Sequence, residues 1–185
     1  EDPGVSHRRP HVDDERGSGD LGVLDEGALP HDEGGVLDAA NGMAGVMLPP
    51  VLERIPIDAV PYFFEPVGTF PNHAPNPLLP ENREFVIGRV LEDKAELGVA
   101  FDGDADRCFF IDDSGSFVDG DFLTAILAEH LLAKQNGGGA ILYDVRASRA
   151  VPDTVERAGG TAHINRVGYA FFKTRMRDEG AIFGG

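Results

Sequence analysis

The chain has 185 residues, a formal net charge of −16 and an apolar content ordinary for a globular protein. Such an acidic balance argues against nucleic acids and anionic membrane surfaces as partners. The single cysteine, Cys108, excludes an intrachain disulfide and indicates a reducing compartment. Because the sequence shows neither a signal peptide nor an apolar run long enough to span a membrane, we expect a cytoplasmic protein.

Residues 1–35 differ from the rest of the chain. They contain ten acidic residues, few large apolar ones and no sustained apolar period. Low hydrophobicity combined with high net charge cannot offset the entropy lost on ordering. This segment is predicted to be disordered, poorly packed or not native to the protein.

The segment 36–136 has the apolar content of a folded unit. Its residues 65–80 hold five prolines and no apolar period, which predicts a loop. A loop of this length in a compact domain is either functional or mobile. The other predicted elements before the middle of the chain are a strand over 36–40, a short helix over 48–54, a strand over 58–64 and a helix over 81–95.

A further helix is predicted to close this first unit. Asp121 is expected to be its N-cap, and the helix continues to about Lys134. Apolar residues at helical spacing predict the face that it buries. These residues are Phe122, Leu123, Ile126, Leu127 and Leu131.

Three consecutive glycines mark the start of a second unit, 137–185. The chain ends within this unit, so its sheet is expected to be truncated. Alternating strands and helices predict a mostly parallel sheet covered by helices, and hence an α/β fold of two consecutive units. The predicted strands are 140–143, 161–165 and 181–183, and the predicted helices are 149–158 and 168–177.

The stretch Asp102–Arg107 lies between two apolar runs, which predicts a strand, a tight loop and a second strand. Three carboxylates at alternate positions of such a loop can converge on one point. A divalent cation would offset their repulsion, and hard oxygen ligands suit Mg²⁺, Mn²⁺ or Ca²⁺. The small residues Gly103 and Ala105 let the backbone approach an ion, and Arg107 is well shaped to bind a phosphate. The candidate ligands are Asp102, Asp104 and Asp106.

Three other interpretations of this loop compete with a phosphate-linked metal site. An EF-hand needs glycine at the sixth loop position and glutamate at the twelfth, where this chain has Arg107 and Asp113. A haloacid-dehalogenase-type phosphatase would use Asp102 as nucleophile but leaves Asp106 and Arg107 without a role. An acidic, solvated turn is the third alternative, and the concentration of charge between two apolar strands argues against it.

The sequence Asp-Gly-Asp-Ala-Asp-Arg after a short apolar strand resembles the metal loop of the α-D-phosphohexomutases, the phosphomannomutase/phosphoglucomutase family. Further motifs of this family agree in order and spacing over residues 36–185. They resemble the first strand and turn of its second domain (38–42), a long internal loop (68–73 and 76–78), the start of its third domain (143–149 and 166–168) and the opening of a sugar-binding loop (183–185).

This resemblance implies a fold of two consecutive phosphohexomutase-type units, the second truncated, and an enzyme that moves a phosphoryl group between C1 and C6 of a hexose phosphate. It implies one Mg²⁺ per chain, held by Asp102, Asp104 and Asp106 together with a phosphoserine that donates the phosphoryl group. Arg107 matches the arginine that contacts that group. The substrate-binding positions implied by the family's motifs are Arg146, Gly168, Tyr169, Gly184 and Gly185.

The chain departs from the family's pattern at several points. Tyr169 stands where the family usually has a histidine, and Arg146 where many relatives have a lysine. None of the five serines lies in the sequence context of the family's phosphoserine loop. The chain alone is therefore predicted to lack mutase activity. The alternative is a non-catalytic module that binds a divalent cation and a sugar phosphate.

Overall fold

The computed structural model describes residues 34–55, 57–136 and 138–185. The prediction for residues 1–35 falls almost wholly outside these ranges. The first sheet is mixed, with strands in the order β2-β1-β3-β4-β5. Strand β1 is parallel to β2 and β3, whereas β4 is antiparallel to both of its neighbours. The strands are β1 Gly35–Asp38, β2 Ala59–Tyr62, β3 Leu97–Phe101, β4 Cys108–Asp112 and β5 Phe117–Val118.

The first unit has one long helix over its sheet and several short helical segments. The short helix predicted over 48–54 is present as α2 (Pro49–Leu52), and a second four-residue helix, α1 (Ala44–Met47), precedes it. Prolines at the start of α2 lack the N–H groups needed to continue α1 into it. The predicted helix over 81–95 is a 3₁₀ turn, Pro80–Arg83, followed by α3, Glu84–Asp93.

Helix α3 covers the middle of the first sheet. Its residues Val86 and Val90 are fully buried and face the strands. Gly98 on β3 lets them approach, since a Cβ there would lie 2.6 Å from a Val90 methyl. This packing fixes β3, and therefore the loop that follows it. The buried core of this unit consists of Val36, Val86, Val90, Ala95, Ala100 and Ile111.

The second sheet is parallel, as predicted, with the order β7-β6-β8. Its strands are β6 Ala140–Asp144, β7 Thr161–Asn165 and β8 Phe183–Gly184, and the helices beside it are α4 Gly120–Lys134, α5 Ala150–Arg157 and α6 Tyr169–Glu179. Helix α4 was expected to close the first unit, but it shares its core with the second sheet. The molecule is thus α/β with two sheets, as the sequence indicated. None of the helices in the described ranges combines the length and apolar character that crossing a membrane requires.

The face that α4 buries differs from the predicted one. Phe122, Ile126 and Leu127 are 51%, 59% and 48% exposed. The buried face instead carries small residues, which let α4 pack closely on α5 and β6. It consists of Thr124, Ala125, Ala128 and Leu132, and the latter three form one core with Ile141, Val151 and Val155. Helix α4 is apolar on most sides, so the spacing of its apolar residues could not identify the buried face.

Asp121 is not the N-cap of α4. The cap position is Asp119, whose side chain makes no capping hydrogen bond, and Asp121 lies in the first turn. Its Oδ1 accepts a hydrogen bond from Phe122 N, and its Oδ2 accepts one from Ser148 N at 3.0 Å. Asp121 therefore connects α4 to the loop after β6.

Candidate metal and phosphate site

The loop Asp102–Arg107 is closed by the antiparallel ladder of β3 and β4, in which Phe101 faces Cys108. Asp102 N donates to Arg107 O at 3.3 Å, and Arg107 N donates to Asp102 Oδ1 at 3.1 Å. Ala105 has φ +59°, a left-handed conformation that costs a residue with a Cβ about 1 kcal/mol. The predicted strand, tight loop and strand are confirmed, and the turn brings alternate side chains to one side.

The three predicted metal ligands do converge. One carboxylate oxygen from each of Asp102, Asp104 and Asp106 lies within 4.8 Å of the other two. Two oxygens bound to one ion can be at most two metal–oxygen distances apart, about 4.2 Å for Mg²⁺ and about 4.8 Å for Ca²⁺. Asp104 and Asp106 are exposed, so their side chains have room to move closer to an ion bound beside Asp102.

The buried member of this trio has an oxygen without a hydrogen bond. Asp102 is 1% exposed, and its Oδ2 accepts no hydrogen bond within the described structure. Arg107 Nη2 lies 2.6 Å from this oxygen, but the contact lacks hydrogen-bond geometry and is an ion contact alone. A buried carboxylate oxygen normally has its hydrogen bonds satisfied. This unsatisfied oxygen, beside two further carboxylates, fits the donor set of a hard divalent cation.

Arg107 is held at the rim of the loop and remains open to solvent. Its side chain is 55% exposed, and its Nε donates to Asp106 Oδ1 at 3.2 Å. The charge of Asp102 is the main cause that raises the pKa of the guanidinium, and the hydrogen bond to Asp106 adds to it. Arg107 is therefore a permanent cation next to the three carboxylates, with part of its planar fork free to bind an anion.

The turn after β1 packs against the loop Asp102–Arg107. Met43 N donates to Gly103 O at 3.0 Å, and a Cβ on Gly42 would lie 2.7 Å from that oxygen. The approach of the two backbones leaves no room for a side chain at Gly42. The 38–42 motif therefore has a physical role in this structure, which is to position the loop that carries the carboxylates.

Sequence reasoning missed the attachment of the long loop 65–80 to this turn. His73 Nε2 lies 2.9 Å from Oδ2 of the fully buried Asp38, and Asn72 Nδ2 donates to Asn41 Oδ1 at 2.7 Å. The hydrogen bond to Asp38 raises the pKa of His73, although burial opposes it. A buried aspartate at a strand end was the available signal, but its partner lies 35 residues further along the chain.

The predicted substrate-binding residues lie in the second unit and are brought together in part. Arg146 and Gly185 line an open cavity of about 580 Å³ between the start of α4 and the end of β6. Arg146 donates from Nε and Nη2 to the two oxygens of Asp144, at 3.0 and 2.7 Å. This interaction is the main cause that lowers the pKa of Asp144. Arg146 is nevertheless 72% exposed, so its guanidinium is accessible to a ligand.

Gly168, Tyr169 and Gly184 stand outside the described lining of that cavity. Gly168 has φ +121° and precedes α6, and Tyr169 is the first residue of that helix. Tyr169 is 75% exposed, and Lys173 Nζ lies 4.9 Å from the centroid of its ring. Gly184 is part of β8 and packs against Phe172 and Leu142. The structure thus places these three residues near the same sheet but not in one pocket with Arg146.

Comparison with known proteins covers both units. The model of phosphoglucomutase/phosphomannomutase alpha/beta/alpha domain II matches residues 35–115, and that of domain III matches residues 119–185. Similar curated proteins include phosphohexose mutases of Xanthomonas campestris pv. campestris, 45% identical over 150 residues, and phosphomannomutase of Escherichia coli strain K12, 42% identical over 155 residues. Each alignment covers 81% of this chain, and 33% and 34% of the respective relative.

A solved structure agrees with this assignment. A phosphoglucomutase/phosphomannomutase family protein from Burkholderia thailandensis is 34% identical and superposes with a TM-score of 0.78 over 83% of this chain and 34% of its own. The chain thus spans about a third of the length of the relatives that it matches. From its sequence, its two sheets and these similarities, the chain belongs to the phosphoglucomutase/phosphomannomutase family of α-D-phosphohexomutases.

Proposed function

We propose that the chain provides the cation-binding and part of the sugar-phosphate-binding machinery of an enzyme that moves a phosphoryl group between C1 and C6 of a hexose phosphate. The observation that carries this proposal is the convergence of one carboxylate oxygen from each of three aspartates, together with the buried Asp102 Oδ2, which accepts no hydrogen bond within the described structure. Family membership supplies the reaction class, since the similar proteins are named phosphomannomutases and phosphohexose mutases.

The carboxylates Asp102, Asp104 and Asp106 would hold one Mg²⁺. When bound, this ion would neutralise negative charge on the phosphoryl group in transfer. Arg107, a cation at the same rim, binds an oxygen of that group and keeps it in place. Arg146 binds a phosphate or hydroxyl group of the sugar from the cavity at the end of β6. These residues orient and stabilise charge, and none of them needs to release a proton.

We further propose that the phosphoryl donor is a phosphoserine that none of the chain's five serines provides. Ser114 is engaged in a turn with Asp112, and Ser148 lies in the loop after β6. The 185-residue chain alone is therefore expected to bind ligands without turning them over. Robust interconversion of hexose 1- and 6-phosphates by the purified chain would refute this.

The cation site is tested by calorimetric titration of the chain with Mg²⁺ and Mn²⁺. We expect one site per chain, lost in Asp104→Asn. Asp113→Asn is the matched control, because it removes one exposed carboxylate from the β4–β5 turn and leaves the loop intact. A folded chain, shown by circular dichroism, that binds neither ion would contradict the proposal. Strong selectivity for Ca²⁺ would instead favour a structural calcium site.

A chimera separates the mutase from a non-catalytic binding module. Residues 36–185 would replace the matching segment of the Escherichia coli phosphomannomutase, which retains the rest of its own chain. We expect mutase activity in this chimera and its loss on Asp104→Asn. A folded chimera that binds Mn²⁺ and hexose phosphate without turnover would favour the binding module. In the active chimera, Tyr169→His tests whether the tyrosine limits the rate.

A further inference from the structure

We propose that His73, as an imidazolium, is a positioning residue that ties the segment 65–80 to Asp38 and thereby holds Phe70 and Pro75 against the metal loop. The inference rests on the proposed function, because it concerns the same cation site. It assigns a role to a residue outside the carboxylate cluster and to a loop without regular secondary structure.

The ring of His73 is surrounded by hydrogen-bond acceptors. Nδ1 lies 3.1 Å from Ala74 O, and Nε2 lies 2.9 Å from Asp38 Oδ2. A carbonyl oxygen only accepts, so Nδ1 carries a proton. The proton between Nε2 and Asp38 belongs to the imidazole, because a carboxylic acid is the stronger acid by about two pKa units. Both nitrogens are then donors, which is the charged form of histidine.

Burial raises the cost of losing this charge. Asp38 is fully buried at the end of β1, and the side chain of His73 is 12% exposed. Titration removes one of the two donors: without the Nε2 proton a buried carboxylate would face a nitrogen lone pair, and without the Nδ1 proton the Ala74 carbonyl would face one while the bond to Asp38 loses its cationic donor. The groups that face the imidazole are the Asp38 carboxylate, the Ala74 carbonyl and the ring of Phe63, whose centroid is 5.7 Å away.

The tied segment makes direct contact with the metal loop. A Cβ built on Gly103 would lie 3.3 Å from Pro75 Cγ and 3.6 Å from Phe70 Cζ, so both side chains stand against the Gly103 backbone. His73 lies between these two residues in the sequence. Fixing the segment at His73 therefore also fixes the two side chains that contact Gly103, the residue between Asp102 and Asp104.

The backbone conformation of the loops around the three carboxylates indicates that tertiary contacts determine their course. Five residues other than glycine have positive φ in the loops around the site, and such conformations persist only where the surroundings enforce them. One is Phe70 itself, at φ +49°. The others are Ala40, Asn41, Phe63 and Ala105. Without the bond from His73 to Asp38, the segment would relax away from the strained path that brings Phe70 to Gly103.

The pH dependence of the contact between His73 and Asp38 follows from the direction in which the pKa of His73 is shifted. The hydrogen bond to Asp38 raises the pKa of His73 above its ordinary value. The stabilisation is complete below the ordinary histidine pKa and is lost as the pH rises through the raised value. We expect the segment to be held firmly in weakly acidic solution and to loosen in alkaline solution.

The experiment combines a ¹⁵N titration of the His73 ring with hydrogen-exchange protection factors for segment 65–80 and with Mn²⁺ affinity, each between pH 6 and pH 9. In the unmodified chain we expect both ring nitrogens to be protonated at pH 6.5. Protection should fall about tenfold through the titration of His73. Mn²⁺ affinity should weaken over the same pH interval.

Two variants distinguish positioning by charge from ordinary packing. At every pH, His73→Gln should show the low hydrogen-exchange protection and weak Mn²⁺ binding that the unmodified chain reaches only in alkaline solution. Its protection should not change over the pH interval in which His73 titrates. Asn72→Ala removes the neutral hydrogen bond to Asn41. It should lower protection by the same factor at every pH, while the fall in protection through the titration of His73 remains. Should His73→Gln not fold, the titration of the unmodified chain still provides the test.

A His73 ring that is neutral at pH 6.5, or a folded His73→Gln variant with unchanged protection and Mn²⁺ affinity, would overturn the inference. A chain that binds no Mn²⁺ at any pH refutes the proposed function instead, and the ring titration then still decides whether His73 holds the segment.

Discussion

The loop Asp102–Arg107 and the loop after β6 both pair an arginine with aspartates, but they differ in what lies behind the charges. Asp102 is 1% exposed, and a turn and a long segment of the first unit pack against its loop. In the second unit, Arg146 is 72% exposed and pairs with Asp144 at the surface. The first loop is therefore positioned by packing, whereas the second is positioned by hydrogen bonds in contact with water. Substitutions behind the first loop should cost far more than substitutions in the second.

The largest expected effect is at Gly45, in α1, which follows the turn that contacts Gly103. A Cβ there would lie 1.8 Å from the backbone oxygen of Phe64, so the helix and the segment after β2 would have to separate. We expect Gly45→Ala to lower the free energy of unfolding by about 3 kcal/mol or more, measured by urea denaturation. Gly88→Ala is the control, since open space surrounds Gly88 in α3. It should gain about 0.5–1 kcal/mol. Equal midpoints for the two variants would mean that α1 is not packed against the Phe64 backbone as described.

A middle-sized effect is expected at Asp121, which connects α4 to the loop that carries Arg146. Asp121→Ala removes the acceptor of Ser148 N and should cost about 1 kcal/mol of unfolding free energy. Hydrogen bonding to Ser148 lowers the pKa of Asp121, so its contribution is present above the ordinary aspartate pKa and is lost as the pH falls through the lowered value. The difference between the variant and the unmodified chain should therefore begin to shrink as the pH falls below about 4 and should vanish only below the lowered pKa. A difference that is independent of pH would argue against this hydrogen bond.

A smaller gain is expected from relieving strain in the first loop. Ala105 has φ +59°, which glycine adopts without steric cost. Ala105→Gly should raise the free energy of unfolding by at most about 0.5 kcal/mol, which is the steric relief less the entropy that glycine adds to the unfolded chain. Thermal denaturation measures this. The same substitution at Ala133, an exposed position in α4, should destabilise, and two effects of equal sign would contradict the described conformation.

The smallest effect on stability is expected at Arg146. Its ion pair with Asp144 is exposed, and pairs of this kind contribute little to folding. Arg146→Ala should leave the urea midpoint unchanged within error while it weakens binding of hexose phosphate, followed by ligand-observed NMR. A large loss of stability would show that the second loop is built like the first and would remove the contrast between them.

The shape of the loop Asp102–Arg107 was predictable because the contacts that close it are local in sequence. Two apolar runs form an antiparallel ladder, and the six residues between them carry the carboxylates at alternate positions. The exposure of Asp104 and Asp106 and the burial of Asp102 were not predictable, since they depend on neighbours distant in sequence. The same holds for the pair His73 and Asp38, in which neither residue indicates the other.

The second unit shows a different limit of sequence reasoning. The periodicity of α4 allowed several buried faces, and the choice was made by small residues that fit against α5. Asp121 satisfied the residue preference of an N-cap, but Ser148 N, 27 residues further along, is its partner. The local residue preference thus correctly indicated that Asp121 accepts backbone hydrogen bonds, but it wrongly assigned the residue to the N-cap.

The local closure of the metal loop also bears on the order in which the chain folds. Six residues separate β3 from β4, whereas the whole of β2, the segment 65–80 and α3 lie between β1 and β3. Closing a short loop loses little chain entropy, and proximate contacts form fastest. The β3–β4 hairpin, with its aspartates already on one turn, is therefore expected to form before β1 pairs with β3. A cation present during folding would then act on the nascent hairpin as well as on the finished protein.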